Sequence, residues 1–116
     1  MAIKWVLNSL VSWVSVVTGT ETSGTATANG VIGQVTSEAL TTAAWAEDSI
    51  TISNNRVKAT SVILANVEYG TATQGSPIGW VKSVSDGSFV VELTNVAASD
   101  ALDGTVIWKF LVINPK

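Results

Sequence analysis

A chain of 116 residues with 13% charged side chains, a net charge of −3 and neither histidine nor cysteine is short of reactive groups. Disulfides, thiolate catalysis and cysteine-ligated zinc are excluded, and any general base would have to be a carboxylate or an amine. The six cations (Lys4, Arg56, Lys58, Lys82, Lys109 and Lys116) are scattered, so no clustered surface exists to displace counterions from a nucleic acid.

In chain order, residues 1–18 are apolar and nearly uncharged. Ile3, Val6, Leu10, Trp13 and Val17 fall at a/d spacing through two heptads, as on an amphipathic helix. The many valines pull the other way, towards strand. With one cation, an interrupted apolar run and no small-residue cleavage site, this zone does not fit a signal peptide. It is also too short and too polar to cross a membrane. The expected role is an anchoring or oligomerisation arm, helical or extended, with Ile3, Trp5, Val6, Leu10, Trp13 and Val17 at the interface. Residues 19–30 (GTETSGTATANG) have the composition of a connector. The expected division is therefore 1–30 as arm and linker, and 31–116 as body.

The body shows short β-branched runs separated by turn residues, which predicts an antiparallel β-sandwich, jelly-roll-like or immunoglobulin-like. Strands are expected at 31–37, 49–53, 56–60, 61–69, 78–85, 88–94 and 105–113. Asp86-Gly87 predicts a two-residue type I′ hairpin, which puts Phe89, Val91 and Leu93 on one face of the following strand. The last strand is apolar on both faces, so it is expected at the centre of its sheet or with neighbours on both sides.

Catalysis finds little support. Asp86 and Asp103 precede glycines and read as turn formers. Glu47-Asp48 is the one adjacent carboxylate pair, before a strand, where a solvated corner is commoner than an acid/base dyad. Asp100 and Asp103 match no EF-hand spacing, and Gly70–Pro77 has no lysine or helix to make a phosphate loop. The expectation is no enzyme, no cofactor and no metal. Five tryptophans are many for this length; Trp45 and Trp80 are the candidates for a ligand platform, with core packing the competing role.

Ser49–Ala65, with its Ile-Thr-Ile-Ser-Asn-Asn turn and Val-Lys-Ala-Thr-Ser phrase, resembles a small β-sandwich module of tailed bacteriophages found in head-decoration and capsid-fibre proteins. The likeness continues through Val84–Val91 with its Gly-Ser-Phe phrase, then Ala97–Ala101, and a closing strand ending Phe110–Asn114. It spans about residues 31–114. The resemblance implies a virion structural protein, commonly trimeric, without catalytic residues. On that basis the partners are other copies of the chain and the major capsid protein, with no nucleic acid or membrane. The location is the capsid surface, after assembly in the host cytoplasm. A glycan-binding adhesion module at a fibre tip is the alternative.

Overall fold

A computed structural model describes residues 15–116. Eight strands occur among them: β1 (Val16–Thr20), β2 (Thr25–Thr27), β3 (Ile32–Thr36), β4 (Glu47–Ser53), β5 (Val62–Tyr69), β6 (Pro77–Ser85), β7 (Ser88–Asn95) and β8 (Val106–Ile113). They form two four-stranded sheets, ordered β1-β3-β8-β5 and β2-β4-β7-β6. Successive strands alternate between the sheets except at the β6–β7 hairpin; β3–β8 follow the winding of a jelly roll with two strands omitted, and β1 and β2 add one edge strand to each sheet. No helix occurs among the described residues.

The core lies between the sheets. Val35, Ile63, Val106, Trp108, Phe110 and Val112 come from one side, and Ala26, Ile50, Ile52, Phe89, Val91 and Leu93 from the other. The alternation that puts these residues inward is the period of two expected of strands with one buried face. Phe89 and Phe110 meet across the sheets edge to face, with centroids 5.2 Å apart.

Five expectations change. The stretch 19–30 is not a connector, because it contributes the end of β1 and all of β2. These strands pair parallel with β3 and β4, so the sheets are mixed rather than antiparallel. Parallel neighbours need a crossover, and here a strand of the opposite sheet supplies it: β2 carries the chain from β1 to β3, and β3 carries it from β2 to β4. The small residues of this stretch are packing residues. A Cβ on Gly19 would lie 2.5 Å from the Thr27 carbonyl oxygen, so only glycine allows β1 and β2 to approach this closely.

Residues 56–60 form turns, not a strand. Their amides are taken by side-chain acceptors instead of a ladder, one nearby and one distant in sequence: Lys58 N–H donates to Ser61 Oγ at 2.8 Å and Ala59 N–H to Asp86 Oδ1 at 2.8 Å. At Asp86-Gly87 only Gly87 has positive φ, at 84°, whereas a type I′ turn needs it at both central residues. Asp86 keeps ordinary backbone geometry and spends its carboxylate on the neighbouring loop. Finally, Val17 lies in a strand and packs against the core, so a helix running through it is ruled out. The Val16-Val17-Thr18 run follows its β-branched preference once β3 offers a ladder.

The other strands fall within two residues of their expected bounds, and β8 is central between β3 and β5.

Candidate interaction surface

Pairing register defines what each sheet shows to solvent. On the outer face of the first sheet, Val16 stands opposite Ile32, Ile32 opposite Leu111, and Leu111 opposite Leu64. These four make one apolar row across all four strands, and Ile113 with Val62 extends it one step further. Val16 is 60% exposed, Leu64 56%, Val62 49% and Ile113 42%. The next rows along the same face are polar, Thr18–Gln34–Lys109–Asn66 and then Thr20–Thr36–Ile107–Glu68, with Lys109 Nζ 2.9 Å from Glu68 Oε1. The face is thus split. Its apolar half lies at the end where residue 15 enters β1, and its polar half lies at the other end. Such a face is available for contact with another chain or segment.

Sequence reasoning placed the interface in residues 1–18 and missed this patch. The signal was present in the double-faced apolar character of β8 and of Val62–Ala65. One face of each is core, but the other has no neighbour among the described residues. Of the expected interface residues, Ile3, Trp5, Val6, Leu10 and Trp13 lie outside the described residues, and Val17 is in the sandwich interior.

The second sheet has a different outer face. Trp80, 38% exposed, stands opposite Glu92 on β7, and Ile78 is also exposed. A bulge between Val81 and Ser83 frees Lys82 to reach Glu92, with Nζ 2.8 Å from Oε2. That bond and the Glu92 charge raise the Lys82 pKa. Trp45 sits in the loop before β4, 66% exposed, with φ at 66°. Its N–H is pinned to the Asn95 carbonyl at 2.6 Å. Both candidate platform tryptophans therefore face solvent, but on separate elements, and the one aromatic pair among the described residues is Phe89–Phe110.

The carboxylates settle into structural roles. Glu47 and Asp48 are neighbours on β4 and point to opposite faces. Asp48 instead meets Glu21 and Glu38 at the loop end of the sandwich. Burial raises the Glu21 pKa, opposed by the Glu38 N–H that its Oε1 accepts at 2.9 Å and reinforced by the Asp48 and Glu38 charges. Burial, then Glu38, raises that of Asp48. Asp103 goes the other way. The Thr73 and Gln74 amides and the Thr73 hydroxyl donate to it at 2.7–3.0 Å and lower its pKa. Among the described residues no three histidine, cysteine or acidic side chains converge to hold a metal.

The acidic group has a measurable consequence. Because Glu21 and Asp48 titrate above their ordinary 4.5 and 3.8, the folded state binds these protons more tightly than the unfolded chain. Stability is then highest below those ordinary values and falls as pH rises through the raised ones. Asp103 contributes in the opposite sense, losing its stabilisation as pH falls through its lowered pKa. Calorimetry should show Tm rising as pH drops from 7 towards the ordinary carboxylate range, through the raised values and above the lowered one. The rise should flatten in Glu21→Gln with Asp48→Asn, which keeps the hydrogen-bond acceptors. An unchanged rise in that double variant would show that other groups are responsible.

No protein-family model matches this chain, and no curated protein matches it. Among solved structures it is similar to the Pseudomonas phage phi297 tailspike gp61, at 13% identity and a TM-score of 0.44. The similarity covers 72% of this chain but 15% of the tailspike, so the chain spans a small part of that protein's length.

Proposed function

We propose that this chain is a virion structural protein, a decoration (cement) or head-fibre protein that binds a phage shell from outside as a homotrimer and carries out no catalysis. The apolar half of the first sheet's outer face carries this reading. The patch aligns across four strands and is bordered by polar rows, which suits contact with another chain. The resemblance of residues 49–65, 84–91, 97–101 and 110–114 to phage decoration modules supports this kind of assembly. On a shell, several weak contacts per oligomer combine through multivalency into firm attachment.

Strand β1 fixes where the attachment segment can be cut. Removing residues 1–18 would delete three of the five residues of β1 and take Val17 from the core, whereas removing 1–14 spares every described strand. The expected result with shells of the parent virus is decoration by the full chain, and at least a tenfold weaker affinity for residues 15–116 with an unchanged circular dichroism spectrum. Full-affinity decoration by residues 15–116 would refute attachment through the N-terminal segment.

The exposure of Trp45 and Trp80 supports a second reading, a glycan-binding adhesion module at a fibre tip. Tryptophan faces stack on sugar rings, and both side chains are open to solvent. Glycan binding that disappears in Trp80→Ala or Trp45→Ala, with no affinity for shells, would select it over decoration.

A further inference from the structure

The apolar half of the first sheet's outer face lies where the chain enters the body. Val16 opens β1 and is the first member of the cross-sheet row with Ile32, Leu111 and Leu64. Residues 1–14 therefore join the body at the rim of the patch, and they match it in character. They include Ile3, Trp5, Val6, Leu10 and Trp13 against a single charged side chain, Lys4.

The size of the patch decides what kind of occupant fits. Strands about 4.8 Å apart make the row about 14 Å long, and one further step along the strands adds about 7 Å, giving about 250 Å² with side-chain margins. A stable face-to-face interface takes about 800 Å² from each partner. Two sandwiches meeting on this face alone would fall well short. A single segment fits, since fourteen residues span about 21 Å even when fully helical.

The direction of β1 decides which copy supplies the segment. The strand runs along the sheet, so it aims the residues before Val16 past the rim rather than back over the face. To cover its own patch the chain would have to reverse at Val14–Ser15. Residues 1–18 contain neither glycine nor proline, the strongest turn formers, and Ser15 at that point is a weaker one. We propose that residues 1–14 of one copy dock on the apolar half of the first sheet of a second copy, so that the protein assembles by exchanging N-terminal segments. The contact is heterologous, and it closes into a ring at the copy number for which the rotation closes. This deepens the oligomeric part of the proposed function and makes no use of the shell.

The absence of cysteine lets engineered thiols report the contact cleanly. Full-length Leu10→Cys and Leu64→Cys proteins are refolded together and mildly oxidised, with Ser83→Cys, on the second sheet, replacing Leu64→Cys in the control. A disulfide-linked heterodimer of Leu10→Cys with Leu64→Cys, at least fivefold above the control, is the expected result. Native mass spectrometry should also show an oligomer for the parent chain and a folded monomer for Leu64→Asp. Linkage found only within single chains of the Leu10→Cys/Leu64→Cys double variant would overturn exchange in favour of self-docking. Equal linkage to Ser83→Cys, or none at all, would overturn docking on this face. An exchanged oligomer that fails to decorate shells would leave this inference standing and defeat the proposed function.

Discussion

Replacing Trp108 with alanine should be among the most damaging single changes in the sandwich, costing about 3–5 kcal/mol. Trp108 lies on β8, the central strand of the first sheet, and is 1% exposed. Its indole reaches across to the edge strand of the second sheet: a Cβ placed on Gly79 of β6 would come within 2.2 Å of the Trp108 ring. The ring thus fills space that Gly79 leaves open, and alanine at 108 would leave a cavity between the sheets. A loss of that size lowers Tm by roughly 10–20 °C in a domain of this length, and it is a large part of the 5–15 kcal/mol that domains typically possess. Trp80→Ala supplies the comparison. Trp80 points to solvent from the same sheet edge, so its removal should cost under about 1 kcal/mol. Denaturant unfolding of both variants checks this, and equal losses would mean that Trp108 is not the ring that joins the two sheets.

The strands legible in the sequence are those whose period of two is unmistakable. Phe89, Val91 and Leu93 alternate inward as their spacing dictates, and the doubly apolar β8 is central. Two kinds of signal misled. In residues 19–30 glycine, alanine and threonine suggested a pliable link, whereas Gly19, Ala26 and Ala28 are small because β1 and β2 approach closely there. Composition alone does not separate a flexible segment from a tightly packed one. In residues 56–60 the β-branched pattern suggested a strand, but Ser61 and Asp86 captured the backbone amides. Side-chain acceptors from distant positions are invisible to a local pattern. The outer apolar row was half legible. Each strand's second apolar face could be seen, but the alignment of Val16, Ile32, Leu111 and Leu64 depends on register and a parallel pairing that no local signal reveals.

A second large loss is expected at Asn95, which lies just past the expected strand 88–94 and closes β7 in the structure. Its side chain is fully buried and uses all its hydrogen-bonding capacity on loops. Nδ2 donates to the Thr42 carbonyl at 3.0 Å and the Asp100 carbonyl at 2.8 Å. Oδ1 accepts from Ser76 N–H at 2.9 Å and Ala97 N–H at 3.1 Å. One amide therefore ties three loops (37–46, 70–76 and 96–105) to the end of β7, at the opposite end of the sandwich from the apolar patch. Asn95→Ala leaves the Asp100 carbonyl and the Ser76 and Ala97 amides without partners, while the Thr42 carbonyl keeps the Leu102 N–H at 2.9 Å, and each orphaned buried group costs about 1–3 kcal/mol. Water entering the vacated space offsets part of this, leaving about 3–5 kcal/mol overall. Asn95→Asp separates hydrogen bonding from packing. It preserves shape and both acceptor contacts, but turns oxygen lone pairs towards the Thr42 and Asp100 carbonyls, so at neutral pH it should be nearly as damaging as alanine. If Asn95→Asp instead unfolds like the parent protein, the donor half of the network contributes little, and these loops are held by packing of Leu40 and Leu102 into the core.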